Sequence, residues 1–209
     1  LDAVTDKGKA VGRLDLTFDE TGNAEPKSND IHMLLDTVPD DPQVAGIVDE
    51  FKVGLAAMDF QPHRDDEEGL TTITAARSAT ANRYVAEESC AQCHSQAVAA
   101  WKRSKHSHSF DSLVARQHQF NPRCLKCHTV GYGASDGYIN QELTPMLDAV
   151  SCGNCHGRAG DHVKFHTGGD ATESQARLIS VNCVTCHDPE NSPTFNREIY
   201  WEQIVHGLD

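Results

Sequence analysis

The chain has 209 residues, enough for one domain or one domain with a smaller appendage. Its formal charge is −13, which disfavours nucleic acid and anionic membrane surfaces, and no run of about 18 apolar residues offers a transmembrane helix. Hydrophobic residues make up 38% and aromatic residues 6%, thin for an ordinary core of this length.

The first 89 residues contain no cysteine. Val11 to Phe18 alternates apolar and polar residues as a half-buried strand does, and Asp19-Glu20-Thr21-Gly22-Asn23 supplies turn residues after it. Asp41 followed by Pro42 reads as an N-cap and the first helical position. Val44, Ile47, Val48, Phe51 and Leu55 follow at helical spacing, giving an apolar stripe to about Met58. Gln61 to Glu68 is polar and acidic, the composition of a linker. A small α+β segment over 1–80 is expected, followed by a second domain over 81–209.

The eight cysteines organise everything downstream. They fall as Cys90-Ala91-Gln92-Cys93-His94, Cys124-Leu125-Lys126-Cys127-His128, Cys152-Gly153-Asn154-Cys155-His156 and Cys183-Val184-Thr185-Cys186-His187, with none left over. Cysteine pairs at this spacing could build four-sulfur zinc sites, and eight cysteines could form four disulfides, but neither chemistry requires a histidine after each pair. Covalent haem does: two thiols three positions apart reach the two vinyl groups of one porphyrin, and the next histidine gives its imidazole to the iron. Four covalently bound haem c groups are therefore expected, on Cys90, Cys93, Cys124, Cys127, Cys152, Cys155, Cys183 and Cys186. His94, His128, His156 and His187 are the expected proximal ligands. Large apolar cofactors offset the thin core, so the expected fold is mainly α with extensive loops, organised around the porphyrins.

Eight further histidines are candidates for the opposite faces: His32, His63, His106, His108, His118, His162, His166 and His206. His106 follows the first motif, beyond a helical stretch that includes Ala97 to Trp101. His162 lies past the third motif in a Gly-rich turn from Gly157, where a loop can fold back. His206 ends a helix expected from about Arg197 to Val205, N-capped by Asn196 and stopped by Gly207.

Several of these segments carry a resemblance. Trp101 to Phe110, Cys124 to Tyr138 with its Gly131–Gly137 loop, Thr144 to Leu147, Cys152 through His162, and Ile199 to His206 resemble the tetrahaem cytochrome c-554 family in matching order. The resemblance implies that His106, His162 and His206 are distal iron ligands, that the fold is mainly helical with closely stacked haems, and that the haem on His128 lacks a distal protein ligand. Where the family often reads Cys-His-Gly-Pro-Gly after the third motif, this chain has Arg158 and Ala159. The leading segment more faintly resembles the tail of bacterial metallophosphoesterases related to 5′-nucleotidases. That family's metal-binding motifs are absent, so no phosphatase activity is assigned.

These features imply an electron carrier with no catalytic residues. Its partners would be redox proteins with basic docking faces, and its place the periplasm or the exterior. The chain begins Leu1-Asp2-Ala3 without an initiator Met, and thioether attachment follows export, so a removed leader is expected. The alternatives turn on the His128 iron. If open, it suits a small-molecule redox enzyme acting on nitrogen oxides. If closed by a neighbouring subunit, the protein is a homo-oligomer or the subunit of a cytochrome filament. If closed from within the chain, His63 is the favoured ligand, ahead of His32, and His118 is a further candidate.

Overall fold

The computed structural model describes residues 10–35, 37–58, 82–176, 178 and 182–206. The chain divides into two compact units, Leu1–Asp49 and Glu50–Asp209. The linker expected at 61–68 and the boundary expected at 80/81 lie outside the described residues.

The first unit contains an antiparallel hairpin of β1 (Ala10–Phe18) and β2 (Ala24–Met33), with an irregularity in register between Asp15 and Leu16. Asp19 builds the turn: its Oδ1 accepts from the backbone N–H of Thr21 and of Asn23, both at 2.9 Å. Gly22 takes φ 84°, a conformation that costs a Cβ-free residue little. β1 lies where the alternation put it, but it is not half-buried: Leu14, Leu16 and Phe18 are exposed. Among the described residues of its unit no second layer covers the two strands, so the hairpin leaves its apolar side chains open. β2 went unread because Pro26, Lys27, Asn29 and Asp30 give it little strand propensity; pairing with β1 imposes its conformation.

Helix α1 (Pro42–Met58) crosses the division between the units. Asp41 Oδ1 accepts from the N–H groups of Gln43 and Val44 at 2.9 and 3.1 Å, with Pro42 in the first turn, as the sequence implies. Its stripe of Val44, Ile47, Val48 and Phe51 is exposed.

The second unit is built from short helices joined by turns: α2 (Glu87–Ala91), α3 (Ser95–Arg103), α4 (Ser109–Val114), α5 (Pro122–His128), α6 (Cys152–His156), α7 (Gly160–His166) and α8 (Arg197–Trp201). Phe110, Leu113, Leu125, Val130, Tyr138 and Leu147 form its buried cluster, with Tyr84, Cys124 and Tyr132 packed against it. Two backbone bonds lace the cluster together, Val130 N–H to Leu147 O and Tyr138 N–H to Val130 O, at 2.9 and 2.8 Å. A Cβ on Gly137 would run into the Gly131 carbonyl, so this crossing of the loop admits only glycine.

Two expectations are corrected here. His162 is carried by helix α7, not by a loop. The sharp turn falls earlier, at Gly157 with φ 76°, and the N–H groups of Ala159 and Gly160 then bond Arg83 O, starting a new helix. The last helix stops at Trp201 rather than Val205, although Asn196 caps it as expected by accepting from Glu198 and Ile199 N–H. Beyond Trp201 the chain continues in turns, with Ile204 N–H bonded to Trp201 O. Gly207 lies outside the described residues.

Candidate functional site: four Cys-x-x-Cys-His turns and their histidine partners

Each motif is folded into a helical turn, and the local sequence shows why. Asn121 caps α5 by accepting from Arg123 N–H at 3.0 Å, with Pro122 in the first turn. Ser151 and Asn154 cap α6 reciprocally, and Asn154 Nδ2 also donates to Thr129 O at 2.9 Å. Asn182 caps the 3₁₀ turn Cys183–Thr185. His94 N–H and His187 N–H bond the carbonyls of Cys90 and Cys183 at 2.8 and 2.9 Å. A turn of this kind sets residues three apart on one side, so both thiols of a motif face the same way.

All eight cysteines are free thiols, which sets aside the disulfide alternative. Among the described residues no three His, Cys, Asp or Glu side chains gather as a metal site. Thiols of different motifs do meet. A hydrogen bond between Cys90 and Cys152 holds Cys152 down to about 7 and pushes Cys90 up. Burial and the neighbouring Cys127 thiol push Cys186 up to about 12. Burial and the nearby Cys183 also raise Cys155. The first motif therefore abuts the third, the third neighbours the fourth, and the fourth abuts the second.

Three motif histidines face a second histidine. His94 faces His162 at 6.2 Å between ring centroids, His187 faces His106 at 6.0 Å, and His156 faces His206 at 6.1 Å. The interplanar angles are 28°, 43° and 67° respectively. The uniform spacing has a chemical meaning. Metal–imidazole bonds of about 2 Å on both sides of one ion set the ring centroids roughly 6 Å apart. Rings stacked face to face sit closer, as Phe195 does on His187 at 4.5 Å, while tilted rings in contact reach 5.8 Å, as Phe110 and Tyr138 do. The three pairs thus fit an iron between them.

Hydrogen bonds at the other ring nitrogen support the same geometry. His162 Nδ1–H donates to Ala176 O at 3.1 Å, His206 Nδ1–H to Ile204 O at 2.8 Å, and His128 Nδ1–H to Ser109 O at 2.8 Å. A carbonyl can only accept, so each tautomer leaves Nε2 free to bind a metal. His187 Nδ1 lies 3.0 Å from Ser192 Oγ. Burial, first of all, lowers the proton affinity of His106, His156 and His187, and the facing histidines add to the effect for His106 and His156. The lowered proton affinity favours the neutral imidazole, the form a metal needs.

The other candidates stand apart. Among the described residues no histidine ring faces His128. His118 is half-buried and has no ring contact with a motif histidine. His32 is exposed on β2, and His63 lies outside the described residues. His108 is exposed, its Nδ1 3.3 Å from Asp111 Oδ2. His166 is exposed and packs 4.6 Å from His162, one helical turn away.

The sequence reading missed the residues that hold these groups in place. Ser109 holds the second motif by two bonds and ties it to the approach to the third: its carbonyl accepts from His128 Nδ1, its hydroxyl donates to His128 O at 3.1 Å, and that hydroxyl accepts from Val150 N–H at 2.8 Å. A single serine carries no pattern that would have revealed this. Arg158, where the resemblance breaks, forms a bidentate pair with buried Asp136 at 2.7 and 2.8 Å and lies 4.8 Å from the Tyr84 ring centroid. It ties the exit of the third motif to the loop after the second.

Residues 89–157, about a third of the chain, match the family model described as Cytochrome c554 and c-prime. That segment includes the first three motifs and His106. No curated protein and no solved structure matches the chain.

Proposed function

With a cytochrome c554 and c-prime family segment at 89–157 as the premise, we propose that this protein is a tetrahaem c-type cytochrome that carries electrons between redox partners outside the cytoplasm. The observation that carries the reading is the spacing of the three histidine pairs, 6.0 to 6.2 Å, each joining a motif histidine to a residue singled out as a distal ligand.

Haem c, when bound, supplies a one-electron iron couple at each motif. The chain's own residues do the rest. Cys90, Cys93, Cys124, Cys127, Cys152, Cys155, Cys183 and Cys186 anchor the macrocycles. His94 with His162, His156 with His206 and His187 with His106 would hold the irons of three haems, and the backbone carbonyls at Nδ1 of His162 and His206 would fix ring orientation and raise ligand basicity. An iron held between two imidazoles would have no place left for a substrate. The thiol contacts order the motifs as first, third, fourth, second, a continuous series. A charge of −13 steers the protein toward basic faces on its partners.

In this reading His63 closes the iron on His128. An iron left open for nitrogen oxides and one closed by a neighbouring subunit, as in a filament, are the competing outcomes. One set of spectra decides. The full chain is expected to be wholly low-spin and to bind no carbon monoxide when reduced, whereas a chain beginning near Thr80 is expected to show one high-spin haem that does. Carbon monoxide binding by the full chain would support an open iron instead. A high-spin signal that grows on dilution would support the subunit assembly.

A further inference from the structure

Among the described residues, two buried side-chain polar atoms have no hydrogen-bond partner: Gln119 Oε1 and Tyr132 OH. Folded proteins leave few such groups, because a polar atom shut away from water needs a partner. Both flank the second motif. Gln119 comes just before Asn121, the cap of α5, and Tyr132 comes just after the end of that helix.

Tyr132 is firmly placed. Val130 beside it is bonded to both Leu147 and Tyr138, and Gly131, at φ 62°, lies so close under the Tyr84 ring that no Cβ fits. The Tyr132 ring packs on the cluster that contains Leu125, against which Cys124 also packs. Those are the motif's own spacer residue and its first thiol. Burial pushes the phenol up to about 12, so it remains a proton donor across the physiological range. The phenol is thus buried against the same cluster as the motif's first thiol, without an acceptor from the protein. The polar atoms of haem c, apart from those at the iron, are its propionate carboxylates.

We propose that Tyr132 is a positioning residue whose hydroxyl donates to a propionate of the haem carried by Cys124, Cys127 and His128, with the Gln119 amide as a second donor once its N–H is turned inward. This inference rests on the haem reading above. It adds what fixes the tilt of one macrocycle and the charge beside its iron. A carboxylate sharing its charge with a phenol stabilises ferric iron less than a bare one does, so the bond raises that haem's potential.

The test is Tyr132→Phe in the full chain, which keeps the ring and removes the hydroxyl. Mass spectrometry first counts the haems; fewer than four in the unaltered protein would end the haem reading itself and not this one alone. With four present, Y132F is expected to lower one midpoint potential, leave the other three in place, and shift a propionate-bending band in the resonance Raman spectrum. Gln119→Leu is expected to move the same potential in the same direction by less. Four unchanged potentials would overturn the proposal. So would a lowered potential with every propionate band unmoved, because the hydroxyl would then act elsewhere on the haem.

Discussion

In the Leu1–Asp49 unit, Leu14, Phe18 and Ile47 stand exposed, at 45%, 68% and 66%, on a hairpin and the start of a helix. In the Glu50–Asp209 unit, Val130 is wholly buried, and Phe110, Leu113, Leu125, Tyr138 and Leu147 surround it. The difference lies in what each kind of structure needs. The hairpin closes through bonds between near neighbours in sequence, such as those to Asp19, and such bonds form without a core. Among the described residues the motif region shows no sheet, and the helices that carry the motifs are short and would not persist alone in water. It is held by a small cluster, by caps such as Asn121 and Ser151, and in the proposed function by four large apolar cofactors bonded to it.

The strongest way to break this comparison is to remove one cofactor's anchors. Replacing Cys152 and Cys155 together by Ala is expected to lose a haem and much of the helical signal, because α6 lies between the first and fourth motifs. Circular dichroism and mass spectrometry would show it, while the NMR signals of Thr21, Gly22 and Asn23 in the hairpin turn are expected to stay where they are. Loss of both regions together would show that the hairpin depends on the motif region.

Hydrogen exchange on the full chain sharpens the same contrast. The amides of Val130 and Tyr138, bonded inside the cluster, are expected to exchange at least about a hundredfold more slowly than those of β1 and β2. Comparable rates in the two regions would mean that the hairpin is covered in solution.

Acid gives the smallest and most local effect. Burial works to raise the Asp136 carboxyl, but hydrogen bonds from Arg158 and Tyr84 and the Arg158 charge outweigh it, so its pKa is lowered on folding. A lowered pKa means that the ionised group stabilises the fold above its unfolded value, and that this contribution fades as pH falls through the folded one. Asp136→Asn is therefore expected to lower stability at neutral pH by about 1–3 kcal/mol and to flatten the loss of stability as pH falls below the ordinary carboxylate range. Thermal melts against pH would measure both. Asp19, pulled down to about 2 by its bonds to Thr21 and Asn23, is fully exposed. Its titration is expected to loosen only the hairpin turn, visible as chemical-shift changes at Thr21 and Asn23 near pH 2.

Much of the candidate site was legible in the chain because its chemistry is local. A thiol pair and a histidine within five residues read the same in any fold, and Asp41-Pro42 and Asn196 announce helix starts through bonds to their immediate neighbours. Thus the four motifs, β1, α1 and the Asn196 cap could be read directly, and His106, His162 and His206 could be singled out by resemblance. The rest depended on partners distant in sequence. Which histidine faces which motif follows from how α7, the Lys105–His108 turn and the segment after α8 pack, and no spacing rule sets that. The same holds for β2, whose residues favour no strand until β1 lies beside them, and for the Ser109 and Arg158 contacts. Sequence by itself determined which groups can bond a haem, because covalent reach is a matter of a few residues. Only the tertiary structure decided which of the histidines face one another, because a facing pair closes a long loop, and packing of the whole unit determines where that loop's ends meet.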